Sequence, residues 1–257
     1  MAKTPEAPSR KEETALVERV KTGIEGLDDV LGGGLPDRSL LFTIGDSGSH
    51  YETFVQQILY NHALRGGKVA YYTSEISSLD IQDDMSVYGW NTKEFTKKDS
   101  WLFINVQTPD LQELSQLTAF QVEGPKIALS TTLTSLKSDF LARAKDGRWT
   151  ALHLSHLLLR YDFRDVVDTI LYMKLVVRHY RGLHFLIMPM GIHEDQKINA
   201  LKYLVDGILE FSMQERAREY GGLLTIRKLR RVLHRTRTFP FMVSDKGIYV
   251  ERAERII

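Results

Sequence analysis

Short apolar runs alternate with helix-period segments along most of the chain. Ser39 to Ile44 is a continuous, mostly apolar run that reads as a core strand. Residues 52–65 place Val55, Ile58, Leu59 and His62 on one side of a helix, and Gly66-Gly67 stops it. Val69 to Thr73 and Trp101 to Val106 read as strands, with a helix over Leu79 to Tyr88 between them. Leu133, Leu136, Phe140, Leu141 and Ala144 predict a helix ending near Gly147. Thr150 to Leu158 reads as one buried strand running towards a loop. Val166, Ile170, Met173, Val177 and Tyr180 are spaced four and three apart, which predicts another helix. Leu183 to Met188 is a strand, and Ile198, Leu201, Leu204 and Val205 mark a helix. Nearer the start, Ile24 to Leu31 reads as a short helix stopped by Gly32-Gly33-Gly34 and Pro36. The end differs: Gly207 to Met213, Gly222 to Leu229 and Phe241 to Val250 read as strands joined by turns.

Repeated strand–helix units predict an α/β fold with a mostly parallel central sheet flanked by helices, extended by antiparallel strands at its C-terminal end. Residues 1–19 read as a flexible tail, polar at its start with Pro5 and Pro8, and residues 20–257 as a single domain. The 257 residues, 43% hydrophobic, suffice for a substantial core. A net charge of +1 gives no global field that selects nucleic acid or a membrane surface. The absence of cysteine excludes disulfides, thiolate metal sites and cysteine nucleophiles. No apolar run approaches the ~20 residues of a transmembrane helix, and the N-terminus lacks the apolar centre of a signal peptide. A cytoplasmic protein is expected.

The chemistry concentrates after Ile44. Gly45-Asp46-Ser47-Gly48-Ser49-His50-Tyr51-Glu52 lies between a strand and an amphipathic helix, the context that a phosphate-binding G-x-x-x-x-G-K-[ST] loop requires. Gly45 holds the first glycine place. His50 holds the second, Tyr51 the lysine place and Glu52 the Ser/Thr place. The cation that balances the β/γ-phosphates is therefore missing, and a carboxylate replaces the hydroxyl that binds Mg²⁺. Gly45-Asp46-Ser47-Gly48 also spells the tetrapeptide around a serine-protease nucleophile, but no histidine precedes His50. His153 and His156, with His179 and His184 further on, read as hydrogen-bonded packing residues, and no metal is expected. Arg227, Lys228, Arg230, Arg231, Arg235 and Arg237 form a dense basic run. It suits a subunit interface, nucleic-acid contact or a solvated surface.

Val20-Lys21-Thr22-Gly23-Ile24-Glu25-Gly26-Leu27-Asp28-Asp29-Val30-Leu31-Gly32-Gly33-Gly34-Leu35-Pro36 resembles the opening segment of archaeal-type KaiC-like proteins of the RecA superfamily. The likeness continues through the Gly45 loop, Val69 to Glu75, Leu157 to Asp162 and Leu224 to Arg230, and closes at Phe239 to Ile248. The resemblance implies a RecA-like P-loop ATPase core, often hexameric, with ATP between subunits. It implies an aspartate at the end of the Walker B strand, where this chain offers Leu152 or, shifted by one, His153. Glu75 matches the catalytic glutamate position and is read as vestigial. Lys228 and Arg230 match a pair that acts in trans on a neighbour's nucleotide, and both are expected on one face of a strand. The expectation is a catalytically inactive or strongly impaired homologue, working as a regulatory or structural protein in a homo- or hetero-oligomer with KaiC-like subunits or a signalling protein. No cofactor is expected, and ATP with Mg²⁺ binds weakly if it binds. An ATP-binding enzyme with a divergent loop and a RecA-like nucleic-acid module are the alternatives.

Overall fold

A computed structural model describes residues 18–74, 76–106, 128–130, 132–216, 219–231 and 237–251. Its main sheet has ten strands in the order β12-β11-β10-β9-β3-β8-β7-β4-β5-β6. The parallel part comprises β3 (Ser39–Gly45), β4 (Lys68–Thr73), β5 (Trp101–Val106), β6 (Ala128–Ser130), β7 (Arg148–His153), β8 (Leu183–Pro189) and β9 (Gly207–Arg216). The antiparallel end adds β10 (Glu219–Leu229), β11 (Arg237–Ser244) and β12 (Gly247–Val250). A separate two-stranded ribbon joins β1 (Arg19–Val20) to β2 (Leu35–Pro36). The sequence pattern did not announce it, because two-residue strands carry no periodicity.

Helices cover both faces: α1 (Leu27–Val30), α2 (Tyr51–Leu64), α3 (Ser78–Val87), α4 (Lys93–Lys97), α5 (Leu133–Lys145), α6 (Ser155–Arg160), α7 (Phe163–His179) and α8 (Asp195–Leu204). One apolar cluster packs α2 and α3 against one face, through Phe54, Val55, Ile58, Leu59, Ile81 and Met85. The other packs α5, α7 and α8 against the opposite face, through Leu136, Phe140, Val166, Ile170, Met173 and Leu201. Full burial of each such side chain is worth about 1.5–3 kcal/mol. Alternation in β4 sends Tyr71 into the first cluster and Tyr72 into the second. Both tyrosines are buried.

Three boundaries differ from the expected ones. The apolar run from Thr150 to Leu158 is not one strand: β7 stops at His153 and α6 begins at Ser155. Leu152, His153, Leu154 and Ser155 alternate apolar and polar, so the strand pattern runs past the point where the helix turn begins. The helix expected over Ile24 to Leu31 is four residues long, framed by Gly26 at φ 76° and Gly32 at φ 68°. Phe241 to Val250 is a hairpin rather than a strand: β11 and β12 pair antiparallel about Asp245-Lys246, with Gly247 at φ 111°.

Candidate functional site

Because β3, β4, β7, β8 and β9 run parallel, their C-terminal ends gather at one edge, and the loop after β3 sits on it. Met190 N–H donates to Gly45 O (2.8 Å) and Asp46 N–H to Phe211 O (3.1 Å), which pins the loop to the β8 and β9 sides. The Ser49 N–H (3.0 Å) and hydroxyl (2.7 Å) both donate to Asp46 O, closing a turn around a buried Ser49. Gly48 takes φ 80° and His50 φ 58°. The left-handed backbone at a non-glycine residue costs roughly 1 kcal/mol. Gly45 is required sterically, since a Cβ there would lie 2.4 Å from Ser49 Oγ and 2.7 Å from Tyr51 Cδ1.

Tyr51 and Glu52 open α2. The Tyr51 ring is buried in the cluster with Phe54 and Val55, and its hydroxyl donates to Glu52 Oε1 at 3.0 Å. Across the edge, alternation in β7 separates the two residues that alignment had left interchangeable. Leu152 joins the cluster under α5 and α7. His153 faces the α2 side, with Nδ1 4.0 Å from Glu52 Oε1. Tyr71 lies beyond it, its hydroxyl 3.2 Å from His153 Nε2. Burial, with the Glu52 carboxylate as a lesser cause, pushes the Tyr71 hydroxyl far above the usual phenol range. The phenol therefore stays protonated, and which of the hydroxyl and Nε2 donates follows the tautomer of the ring. Burial pulls His153 down to about 4, so its ring is uncharged at neutral pH and the 4.0 Å contact is not an ion pair. The polar groups of Tyr71, His153, Glu52 and Tyr51 thus line up across β4, β7 and α2 as two hydrogen-bonded pairs 4.0 Å apart.

Beside this chain opens a cleft of about 460 Å³. Ser47, Gly48, His50, Tyr51, Glu52 and Thr53 form one side; Pro189, Met190 and Ile192 form the other. Met190 and Ile192, which nothing in the sequence singled out, are 38% and 56% exposed. A further unforeseen contact ties the next loop down: Ser155 Oγ and His193 Nε2 lie 2.7 Å apart. The other histidines disperse. His156 is buried in α6, His179 bonds Leu175 O within α7, and His184 Nδ1 meets Thr150 Oγ1 at 3.0 Å inside the sheet.

The basic residues lie at the other end of the sheet. Antiparallel pairing puts Leu229 opposite Gly207, which is itself level with Leu41 near the start of β3. Lys228 follows a register shift in β10, and Arg230 lies past the last residue of that strand. Only Lys228 of the pair therefore lies within β10. Lys228 Nζ donates to Lys202 O and Tyr203 O, both at 3.0 Å, at the C-terminal end of α8. Lys174 Nζ donates to Leu204 O of the same end. Arg227 pairs with Glu210 at 2.6 Å, and Arg231 donates to Arg38 O and Ser39 Oγ. Arg230 and Arg237 are exposed. Glu75 and Arg235 lie outside the described residues.

Three comparisons bear on this arrangement. The model of a family described as "ATPase: KaiC" matches residues 20–255. A UPF0273 protein of Aeropyrum pernix is 24% identical over 91% of this chain and 94% of its own length, and one of Thermotoga maritima is 23% identical over 93% and 98%. The circadian clock oscillator protein KaiC of Prochlorococcus marinus is 25% identical over 91% of this chain, which spans 46% of that protein. The crystal structure of a KaiC-like protein from Pyrococcus horikoshii superposes with a TM-score of 0.72 at 19% identity, covering 92% of this chain and all of that one. That likeness shows the fold.

Proposed function

The chain belongs to the KaiC family of ATPases, and from that premise we propose that it is a catalytically inactive or strongly impaired member, acting as a regulatory or structural subunit within an oligomer. The observation that carries this reading is the chain Tyr51–Glu52–His153–Tyr71. Magnesium and a nucleoside triphosphate would need a flexible cation in the lysine place, a hydroxyl after it and a carboxylate on β7. In their place stand a tyrosine ring packed in the core, a carboxylate bonded to its hydroxyl, and a neutral imidazole. The residues present do not fit that group. A nucleotide phosphate about 4 Å from Glu52 would meet a repulsion of roughly 4 kcal/mol at an effective dielectric near 20. Ser49 also directs its own N–H into the turn, towards Asp46 O.

The basic end supports an assembly role. Arg230 is exposed, and it sits at the opposite end of the sheet from the Gly45 loop. A cation there can reach a phosphate-loop edge only on another molecule. That placement supports a homo- or hetero-oligomer with KaiC-like subunits or a signalling protein, and the compartment of the proposal is the cytoplasm. No helix among the described residues is long and apolar enough to cross a membrane. Calorimetry with ATP and ADP, with and without Mg²⁺, tests the central point. No binding heat and no hydrolysis above buffer are expected; micromolar, Mg²⁺-dependent ATP binding by the unaltered protein would overturn the reading.

A further inference from the structure

α7 buries one side and leaves the other to solvent. Val166, Ile170, Met173 and Val177 pack into the second core cluster. On the outer side Asp168, Leu171, Leu175 and Arg178 recur at three, four and three residues, so they share one exposed face. Leu171 is 40% and Leu175 56% exposed. Tyr203 of α8 extends the apolar area: it too is exposed, and Lys174 Nζ of α7 bonds the carbonyl of the next residue, Leu204. The order along the face is acid, leucine, leucine, base. Both pairs straddle Met173, which is fully buried on the side directly opposite. The face is therefore balanced in shape about its middle and opposite in charge at its two ends.

We propose that this face docks on the same face of a second copy of the chain, the two α7 helices running antiparallel across a two-fold axis level with Met173. Such an axis pairs positions that lie equally far before and after that residue. Leu171 then meets Leu175 of the second copy, and Asp168 stands level with Arg178 of the second copy. An isologous contact repeats each pair, so both leucine contacts and both charge contacts form twice. A parallel pairing would instead set aspartate beside aspartate and arginine beside arginine. Exposed ion pairs add little strength. The leucines therefore supply the attraction, and the charges fix the direction and reject wrong partners. The contact uses neither the Gly45 loop nor Arg230, so it goes beyond the assembly role proposed above and does not depend on whether nucleotide binds.

Sedimentation equilibrium of the full chain, run across protein concentration, tests this. A reversible dimer is expected, with its dissociation constant raised about tenfold or more when Leu171→Ser and Leu175→Ser are combined. Asp168→Arg and Arg178→Asp should each weaken it severalfold. The double reversal Asp168→Arg with Arg178→Asp should restore it, and so should an equimolar mixture of the two single variants. A merely structural effect of either substitution would not be cured by mixing. All four side chains are exposed, so the variants are expected to fold, and an unchanged thermal midpoint checks this. A monomer at every concentration, association indifferent to the leucine changes, or a double reversal no tighter than the single ones would overturn the proposal. The series is repeated with Arg230→Ala, where the same pattern is expected. Association that vanishes with Arg230→Ala and ignores the charge reversals would place assembly at the basic end and overturn this contact, leaving the earlier reading intact.

Discussion

Tyr71 is the residue on which the polar chain under the loop depends. It is fully buried, and its hydroxyl is the partner shown for His153 Nε2. Tyr71→Phe keeps the ring and removes that partner, leaving a buried imidazole nitrogen to bear its own desolvation. The expected loss is about 1–3 kcal/mol, read from the urea unfolding midpoint. Tyr71→Phe combined with His153→Phe should lose less than the two single changes added together, since both ends of one hydrogen bond are then apolar. Strict additivity would mean that the 3.2 Å contact contributes nothing. Tyr51, Glu52 and His153 were each visible in the sequence as departures from a motif. Their association was not. Alignment left Leu152 and His153 interchangeable, and strand alternation decides between them only once the face that α2 covers is known. Met190 and Ile192 could not have been chosen, because nothing in a Met-Gly-Ile loop marks which cleft it borders.

At the level of elements, Lys228 does a job that its place in a basic run conceals. The last carbonyls of a helix have no partner within it, and at the end of α8 Lys228 and Lys174 supply them. A cation there also meets the negative end of the helix dipole. Lys228→Ala is expected to lower stability by about 1 kcal/mol, while Arg230→Ala, at an exposed turn, should leave the thermal midpoint within a degree or so. If association in solution depends on Arg230, sedimentation velocity will separate the two variants in the opposite order. Equal thermal shifts for both would remove the capping role. The long amphipathic elements were legible for a plain reason: α7 repeats its apolar residues at four and three, and only a helix buries that pattern on one side. The α6 turn after β7 was illegible because Leu152, His153, Leu154 and Ser155 alternate apolar and polar across the boundary, as a strand would. The hairpin at Asp245-Lys246-Gly247 was overlooked although its glycine, at φ 111°, is the signal that separates two strands from one.

The whole molecule encloses several histidines that carry no charge, and this sets its response to acid. Burial lowers His62 and His153 to about 4 and His184 to about 3. In the unfolded chain each titrates near 6.5. Between those values the unfolded state holds protons that the folded state does not, so stability falls as pH falls. The loss begins near pH 6.5, steepens through pH 5 and levels off only below the folded values. Three such rings give a slope approaching roughly 4 kcal/mol per pH unit. A stability of about 5–10 kcal/mol, the lower half of the ordinary range, is exhausted within two or three units. Acid unfolding is therefore expected between about pH 6 and pH 4. Carboxylates act in a lower window. The Lys68 hydrogen bond holds Asp146 below its usual value, and that contribution disappears only as pH falls through the carboxylate range. His62 allows the assignment to be checked. Its ring stacks on Trp149 with centroids 3.8 Å apart, a contact that phenylalanine can keep. His62→Phe should reduce the slope of unfolding free energy against pH by about a third between pH 6 and 5. A slope unchanged in that variant would show that His62 takes up its proton as readily folded as unfolded, and the acid response would then rest on His153 and His184.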